Sequence, residues 1–149
     1  MLDRKTAADI YLGILVEWER TYKDLPQIGN FDIRSKEFLA FKRTNSLEVL
    51  SYENATLSDE AISSRTELHS QPKQIVLFQK GSNSRARGLF KHIRNSIAHS
   101  HVERVKIKNK WFICFSAKND KGKQVLHAQL MQSKLTPFIS ALKSTVKSV

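Results

Sequence analysis

The sequence predicts a mainly α fold of the α+β kind: one domain of helices, with a small antiparallel β-hairpin or three-stranded meander before the last helix. Three observations predict it. Apolar residues recur at three- and four-residue intervals over residues 3–24, 84–99 and about 133–147, the period of helices that bury one side. After His99 the period drops to two, the alternation of a strand. The chain has 149 residues, 40% of them hydrophobic, enough for one domain with a real core.

Taken in order, residues 3–24 place Ile10, Ile14, Leu15, Trp18 and Tyr22 on one side of a helix, and Asp9, Glu17, Glu19 and Arg20 on others. Asp3 or Thr6 can cap its start. Leu25-Pro26 ends it, because proline disfavours helical geometry in the residue before it. Residues 26–32, with Pro26, Gly29 and Asn30, form a loop. Residues 33–43 read as a short helix with Phe38, Leu39 and Phe41 inward. Residues 46–52 are ambiguous, and 51–58 are polar and turn-like. A further short helix opens at Leu57-Ser58-Asp59-Glu60, with Ser58 as cap, and runs to about His69. Periodicity cannot assign Ile75-Val76-Leu77-Phe78; with Pro72 in a first turn, it leans to helix. Gly81-Ser82-Asn83-Ser84 is a loop that supplies caps to the next helix.

That next helix, Ser84 to His99, is the stretch the chain is organised around. At roughly 100° per residue, Ala86, Leu89, Phe90, Ile93 and Ile97 share one narrow arc. Arg94 lies just beyond an edge of that arc. Asn95 and His99, one turn apart, stack across the polar face from it, with Lys91 and Arg87 between. Ala98 is the small apolar residue on this polar side, where a methyl lets another helix approach. Gly88 is expected to let the helix pack closely on the N-terminal one.

Beyond it, Arg104, Lys106, Lys108 and Lys110 alternate with Val105 and Ile107, a strand with one basic face. Trp111-Phe112-Ile113-Cys114-Phe115 suits a strand, Asn119-Asp120-Lys121-Gly122 a turn, and Val125 to Leu130 a returning strand. In the last helix Leu135, Phe138, Ile139, Leu142 and Val146 share a face. Ser133 or Thr136 can cap it, and Pro137 is tolerated in its first turn.

The run Arg94-Asn95-Ser96-Ile97-Ala98-His99 at the end of a helix resembles the signature of the HEPN superfamily: an Arg, often followed by a polar residue, then a His a few positions later. The resemblance is carried by residues 84–101; the rest of the chain is compatible in size and helical character. It implies one HEPN-like domain over residues 1–149, a small helical bundle. It implies a composite active site in which the motif helices of a homodimer face one another across a cleft. The implied activity is metal-independent RNA cleavage, common in toxin, phage-abortive and other defence systems, where an antitoxin protein can be a partner. Arg94, His99 and Asn95 are the catalytic candidates.

Composition supports a polyanionic partner. Lys and Arg number 25 against 14 Asp and Glu, a net charge of +11, which favours RNA, DNA or an anionic membrane surface. Candidate RNA-binding residues are Arg87, Lys91, Arg104, Lys106, Lys108 and Lys110; the alternative for each is a solvated basic face. The single cysteine, Cys114, cannot form an internal disulfide and fits a reducing cytoplasm; its aromatic neighbours mark it as buried packing. No signal peptide is visible, and no apolar run approaches the length of a membrane span. The expected location is cytoplasmic.

The chemistry matches the residue types. RNA can supply its own 2′-hydroxyl as nucleophile, so the enzyme needs a proton-transfer group and a stabiliser of phosphorane-like charge. Histidine, with an ordinary pKa of about 6.5, serves the first task, as base or acid. Arginine's planar fork serves the second. In one helix Arg94 and His99 stand roughly 140° apart, flanking the polar face, so two copies are needed to surround one groove. Asn95 can orient the imidazole or the phosphate. Read as ordinary structural residues, His99 caps a helix C-terminus, where cations are favoured, and Arg94 is a solvated or ion-paired surface residue. His92 lies on the polar side near His99 and reads as a plain surface histidine, with a place in the groove lining as the alternative. His99-Ser100-His101 offers a metal pair, but no cysteine or acidic cluster completes a ligand set, so neither metal nor cofactor is expected. The phosphate-binding glycine loop, the paired-carboxylate motif and the nucleophile elbow are absent from the sequence. The alternative function is a non-catalytic RNA-binding or protein-interaction module.

Overall fold

The computed structural model describes residues 2–25, 30–68 and 70–147. It has a strand where the sequence leans to helix. Ile75–Gln79 (β2) pairs in parallel with Glu48–Tyr52 (β1) and antiparallel with Gln124–Met131 (β5). Lys110–Lys118 (β4) and Val102–Ile107 (β3) complete a five-stranded sheet of order β1-β2-β5-β4-β3. This corrects the expected helical bundle with a small hairpin. The three strands after His99 exist, but they form the larger part of a mixed sheet whose other two strands come from the ambiguous segments.

The physical reason lies in burial on two faces. Val76 and Phe78 point into the main core, while Ile75 and Leu77 point to the opposite face; all four are 0% exposed. A strand covered on both sides has no polar alternation, so its apolar run carries no readable period. The parallel β1–β2 pair requires a long crossover, and the helix Ala55–Ser64 (α4) lies in it. Ile62 of α4 covers Ile75 and Leu77. Asn54 caps α4, accepting from the Leu57 N–H at 3.0 Å. Ser58, expected as the cap, is instead buried, and its hydroxyl donates to the Gln124 carbonyl at 2.7 Å. The expected end of this helix, His69, lies outside the described residues, as do Pro26 and Gly29 of the first loop.

The other face carries the remaining helices. Arg4–Ile10 (α1), a π-helical stretch Tyr11–Val16 and Glu17–Arg20 (α2) follow one another directly, with Asp3 capping the start at 2.7 Å from the Thr6 N–H. Ile10, Ile14 and Trp18 are buried there. Next come Lys36–Thr44 (α3), capped by Ser35, and Leu135–Ser144 (α6), whose first turn holds Pro137 and whose start has no side-chain cap. In α3, Phe38 and Phe41 are inward but Leu39 is 40% exposed. The close approach assigned to Gly88 belongs to Gly13: a Cβ there would fall 2.7 Å from Ile139 of α6. Gly88 instead faces the Lys80 backbone, 3.3 Å from where its Cβ would stand.

β4 shows how the sheet divides its burial. Ile113, Phe115 and Ala117 join the helix-side core, and Phe112 and Cys114 pack with Ile107, Val105 and Met131. Burial pushes the Cys114 thiol up to about 12, so it is packing material and not a thiolate. Among the described residues no helix is long and apolar enough to cross a membrane.

Candidate active site

The helix Arg85–Ala98 (α5) carries the motif, and the sequence explains its placement. Ser84 caps it, accepting from the Arg87 N–H at 3.2 Å. Ala86, Leu89, Phe90 and Ile93 are buried against the sheet and the N-terminal helix, and Ile97 is partly buried. Phe90 stacks on Trp18 with centroids 5.7 Å apart and meets Tyr22 edge-on at 5.2 Å. His99 is the C-cap, its N–H bonded to the Asn95 carbonyl, and Ser100 turns the chain with a φ of 60°. The His101 N–H then reaches the Ser96 carbonyl at 2.7 Å, while its own carbonyl accepts from the Ser116 N–H at 3.0 Å. The end of the motif helix is thereby pinned to β4.

A groove of about 770 Å³ opens between this end and the β4–β5 turn. Lys91, His92, Asn95, His99 and His101 form one wall, and Lys118, Asn119 and Asp120 the other. His99 and His101 are exposed, with ring centroids 6.4 Å apart. His92 is buried. Its Nε2 lies 2.8 Å from the Gln79 carbonyl, which can only accept, so Nε2 carries the proton. Burial pushes its pKa down to about 4, leaving a neutral ring whose buried Nδ1 has no hydrogen-bond partner among the described residues. This corrects the surface histidine expected there: its angular position puts it near His99, but β2, read as helix from the sequence, buries it.

Arg94 faces the other side of α5. It lines a second groove of about 660 Å³ with Tyr11, Leu15, Glu19, Ile97 and Ala98. Its guanidinium pairs with Glu19 and donates to the Asn95 side-chain oxygen at 2.7 Å, while its Nε is buried without a partner among the described residues. The Glu19 carboxyl is held below its ordinary pKa, first by the Lys23 hydrogen bond and also by Arg94. Within one chain Arg94 and His99 thus line different grooves, as their angular separation on the helix predicts. Asn95 connects them: it lines the His99 groove and accepts from Arg94. Glu19 is a site residue that sequence reasoning missed. It lies 75 positions from Arg94, and no local pattern links them.

The basic candidates divide. Lys91 is exposed on the groove wall. Arg87 is engaged within the fold: it donates to Asn83 at 2.7 Å and to the Lys23 carbonyl at 3.3 Å, and lies 5.2 Å over the Trp18 ring. The expected single strand with one basic face is broken by the hairpin turn: Lys108 and Asn109 turn the chain with φ of 47° and 68°, and Lys110 pairs with Ile107, on the face opposite Arg104 and Lys106. Lys106, Lys108 and Lys110 therefore surround the far end of the β3–β4 hairpin, with Arg104 behind Lys106. That end is roughly 20 Å from the groove at about 3.3 Å per strand residue. Among the described residues no three His, Cys, Asp or Glu side chains cluster as a metal-ligand group.

Neither a curated protein nor a solved structure matches the chain. The HEPN pEK499 p136 family matches residues 10–148, a span that begins in the N-terminal helix and includes all five strands and the whole of α5. The Arg94–His99 motif and the sheet therefore lie inside one family match, and the chain belongs to the HEPN pEK499 p136 family.

Proposed function

We propose that the protein is a metal-independent endoribonuclease that works as a homodimer. The observation that carries this reading is the placement of Arg94, Asn95 and His99 on the last turns of α5. They form a polar array, half-buried at Arg94 and Asn95 and exposed at His99, in which Asn95 accepts from Arg94 while lining the groove of His99. His99 transfers protons, Arg94 holds the scissile phosphate, and the neighbouring 2′-hydroxyl attacks. Arg94 is kept at a cost, since a buried guanidinium N–H without a partner is unfavourable. The +11 charge supports RNA as the partner. A toxin or defence role, with an antitoxin protein as second partner, extends the same reading through the HEPN likeness.

The test uses purified protein and labelled RNA. Cleavage should persist in excess EDTA and leave a cyclic 2′,3′-phosphate. A single deoxy substitution on the 5′ side of the cut should block that cut, and DNA of the same sequence should bind without being cleaved. Cleavage at the deoxy-substituted bond, or a strict need for a divalent ion, refutes the mechanism.

The two grooves support the dimer reading. Ala98 is exposed beside Arg94, and Tyr11, 53% exposed, lines the same groove. A second copy laid over Ala98 about a two-fold axis brings both motifs around one cleft. Ala98→Glu should yield a monomer by sedimentation and abolish cleavage while keeping a native circular dichroism spectrum, with a melting point lowered by the loss of the dimer. A fully active monomeric wild-type protein rules out the composite site.

The Glu19–Arg94 ion pair favours a second reading, a non-catalytic RNA-binding or protein-interaction module, because it occupies the guanidinium on the side away from His99. RNA that is bound but never cut, in EDTA or with divalent ions, supports that module.

A further inference from the structure

β4 begins with an abrupt change of burial. Trp111 is 40% exposed, whereas Phe112 beside it is 0%. The Arg104 guanidinium stacks 3.6 Å from the Trp111 ring centroid, and its Nε donates to the Gln132 side-chain oxygen at 2.8 Å. The Lys106 ammonium lies 5.6 Å from the same ring. Asp3 is a carboxylate that feels Arg104. Among the described residues no ion pair involves Lys106, Lys108 or Lys110. A depression of about 410 Å³, lined by Lys110, Trp111, Met131, Gln132 and Ser133, lies beside the ring.

An apolar protein core has no use for an indole left this exposed, and a merely solvated basic face has no need of one. A cation-backed aromatic ring beside three unpaired lysines has the two parts of a single-strand site: a π-face for a base and charge for phosphates. A duplex hides its base faces in the stack and cannot use the ring. We propose that this end of the β3–β4 hairpin is a second RNA contact. It holds a single-stranded segment, with a base stacked on Trp111 and the backbone passing from Lys106, on the same face, round the turn at Lys108 toward Lys110, remote from the groove of His99. The choice of RNA as ligand rests on the reading above; the stacking site itself does not depend on cleavage.

The test uses the full chain with a single-stranded deoxyuridine oligonucleotide, a duplex of equal length, and heparin as a polyanion without bases. Trp18 is 5% exposed, so quenching of tryptophan emission reports Trp111. The single strand should quench it and the duplex should not. Trp111→Ala should weaken single-strand binding about tenfold and leave heparin binding unchanged, while Trp111→Phe, which keeps a ring, retains most of the affinity. Replacing Lys106, Lys108 and Lys110 with Gln should reduce the salt slope of single-strand binding by about 2. Unchanged affinity in Trp111→Ala with a native circular dichroism spectrum, or equal loss of heparin and single-strand binding, overturns the proposal. The deoxy strand separates the two ideas. Trp111-dependent binding by a protein that cuts no RNA leaves this site standing and removes the nuclease reading. RNA cleavage without Trp111-dependent binding does the reverse.

Discussion

His99→Ala should lower the rate of RNA cleavage by about 10²–10⁴-fold, the usual worth of a positioned acid or base. Arg94→Ala should lower it by about 10²–10³-fold, as expected for one stabiliser of transition-state charge. Both variants should keep the fold. His99 is exposed at the end of α5, where substitutions usually shift stability by no more than about 0.5 kcal/mol. Arg94 pairs with Glu19, but the two side chains are 27% and 38% exposed, so solvent screens the pair and its loss costs at most about 1 kcal/mol. Steady-state cleavage, with circular dichroism and thermal melting as controls, measures both effects. Full activity in His99→Ala excludes its assignment. Glu19→Gln extends the experiment. If Glu19 positions Arg94 for chemistry, the two substitutions combine non-additively in kcat/KM; an ion pair with no such link gives additive losses.

Phe90→Ala should cost about 3–5 kcal/mol of stability, a large part of the ~5–15 kcal/mol that holds an ordinary domain together. Phe90 is 0% exposed, stacked on Trp18 and edge-on to Tyr22, so the lost ring leaves a cavity bounded by two aromatic groups that cannot both collapse into it. Urea denaturation followed by circular dichroism measures the loss. Leu39→Ala, at a site 40% exposed, is the control and should change little. A Phe90→Ala variant within about 1 kcal/mol of wild type would mean that α5 is not docked on the N-terminal helix in this way, and the placement of Arg94 beside Glu19 would fall with it.

The sequence by itself determined the parts of this protein that depend on near neighbours. The α5 helix, its Ser84 cap, its buried arc and the opposite placement of Arg94 and His99 all follow from a 3.6-residue period. The Asn119–Gly122 turn is equally local: the Asn119 side chain accepts from the N–H groups of Lys121 and Lys123 at 3.0 and 2.9 Å, and Gly122 adopts a φ of 79°. What the tertiary structure decided involves residues far apart in the chain. Whether Ile75–Gln79 is helix or strand depends on β1 and β5, which supply its hydrogen bonds, and on α4 and α5, which cover its two faces and erase its period. Once β2 exists, Gln79 presents the carbonyl to which the His92 Nε2 donates, and burial against the sheet keeps the ring neutral in the groove wall. The partner of Arg94 was equally illegible, because Glu19 is one of several charged residues along its helix. Only the docking of Phe90 on Trp18 and Tyr22 brings that turn of the helix beside α5. Periodicity reports which side of an element is buried; it carries no information about what buries it, and here that partner sets both the sheet and the surroundings of the motif.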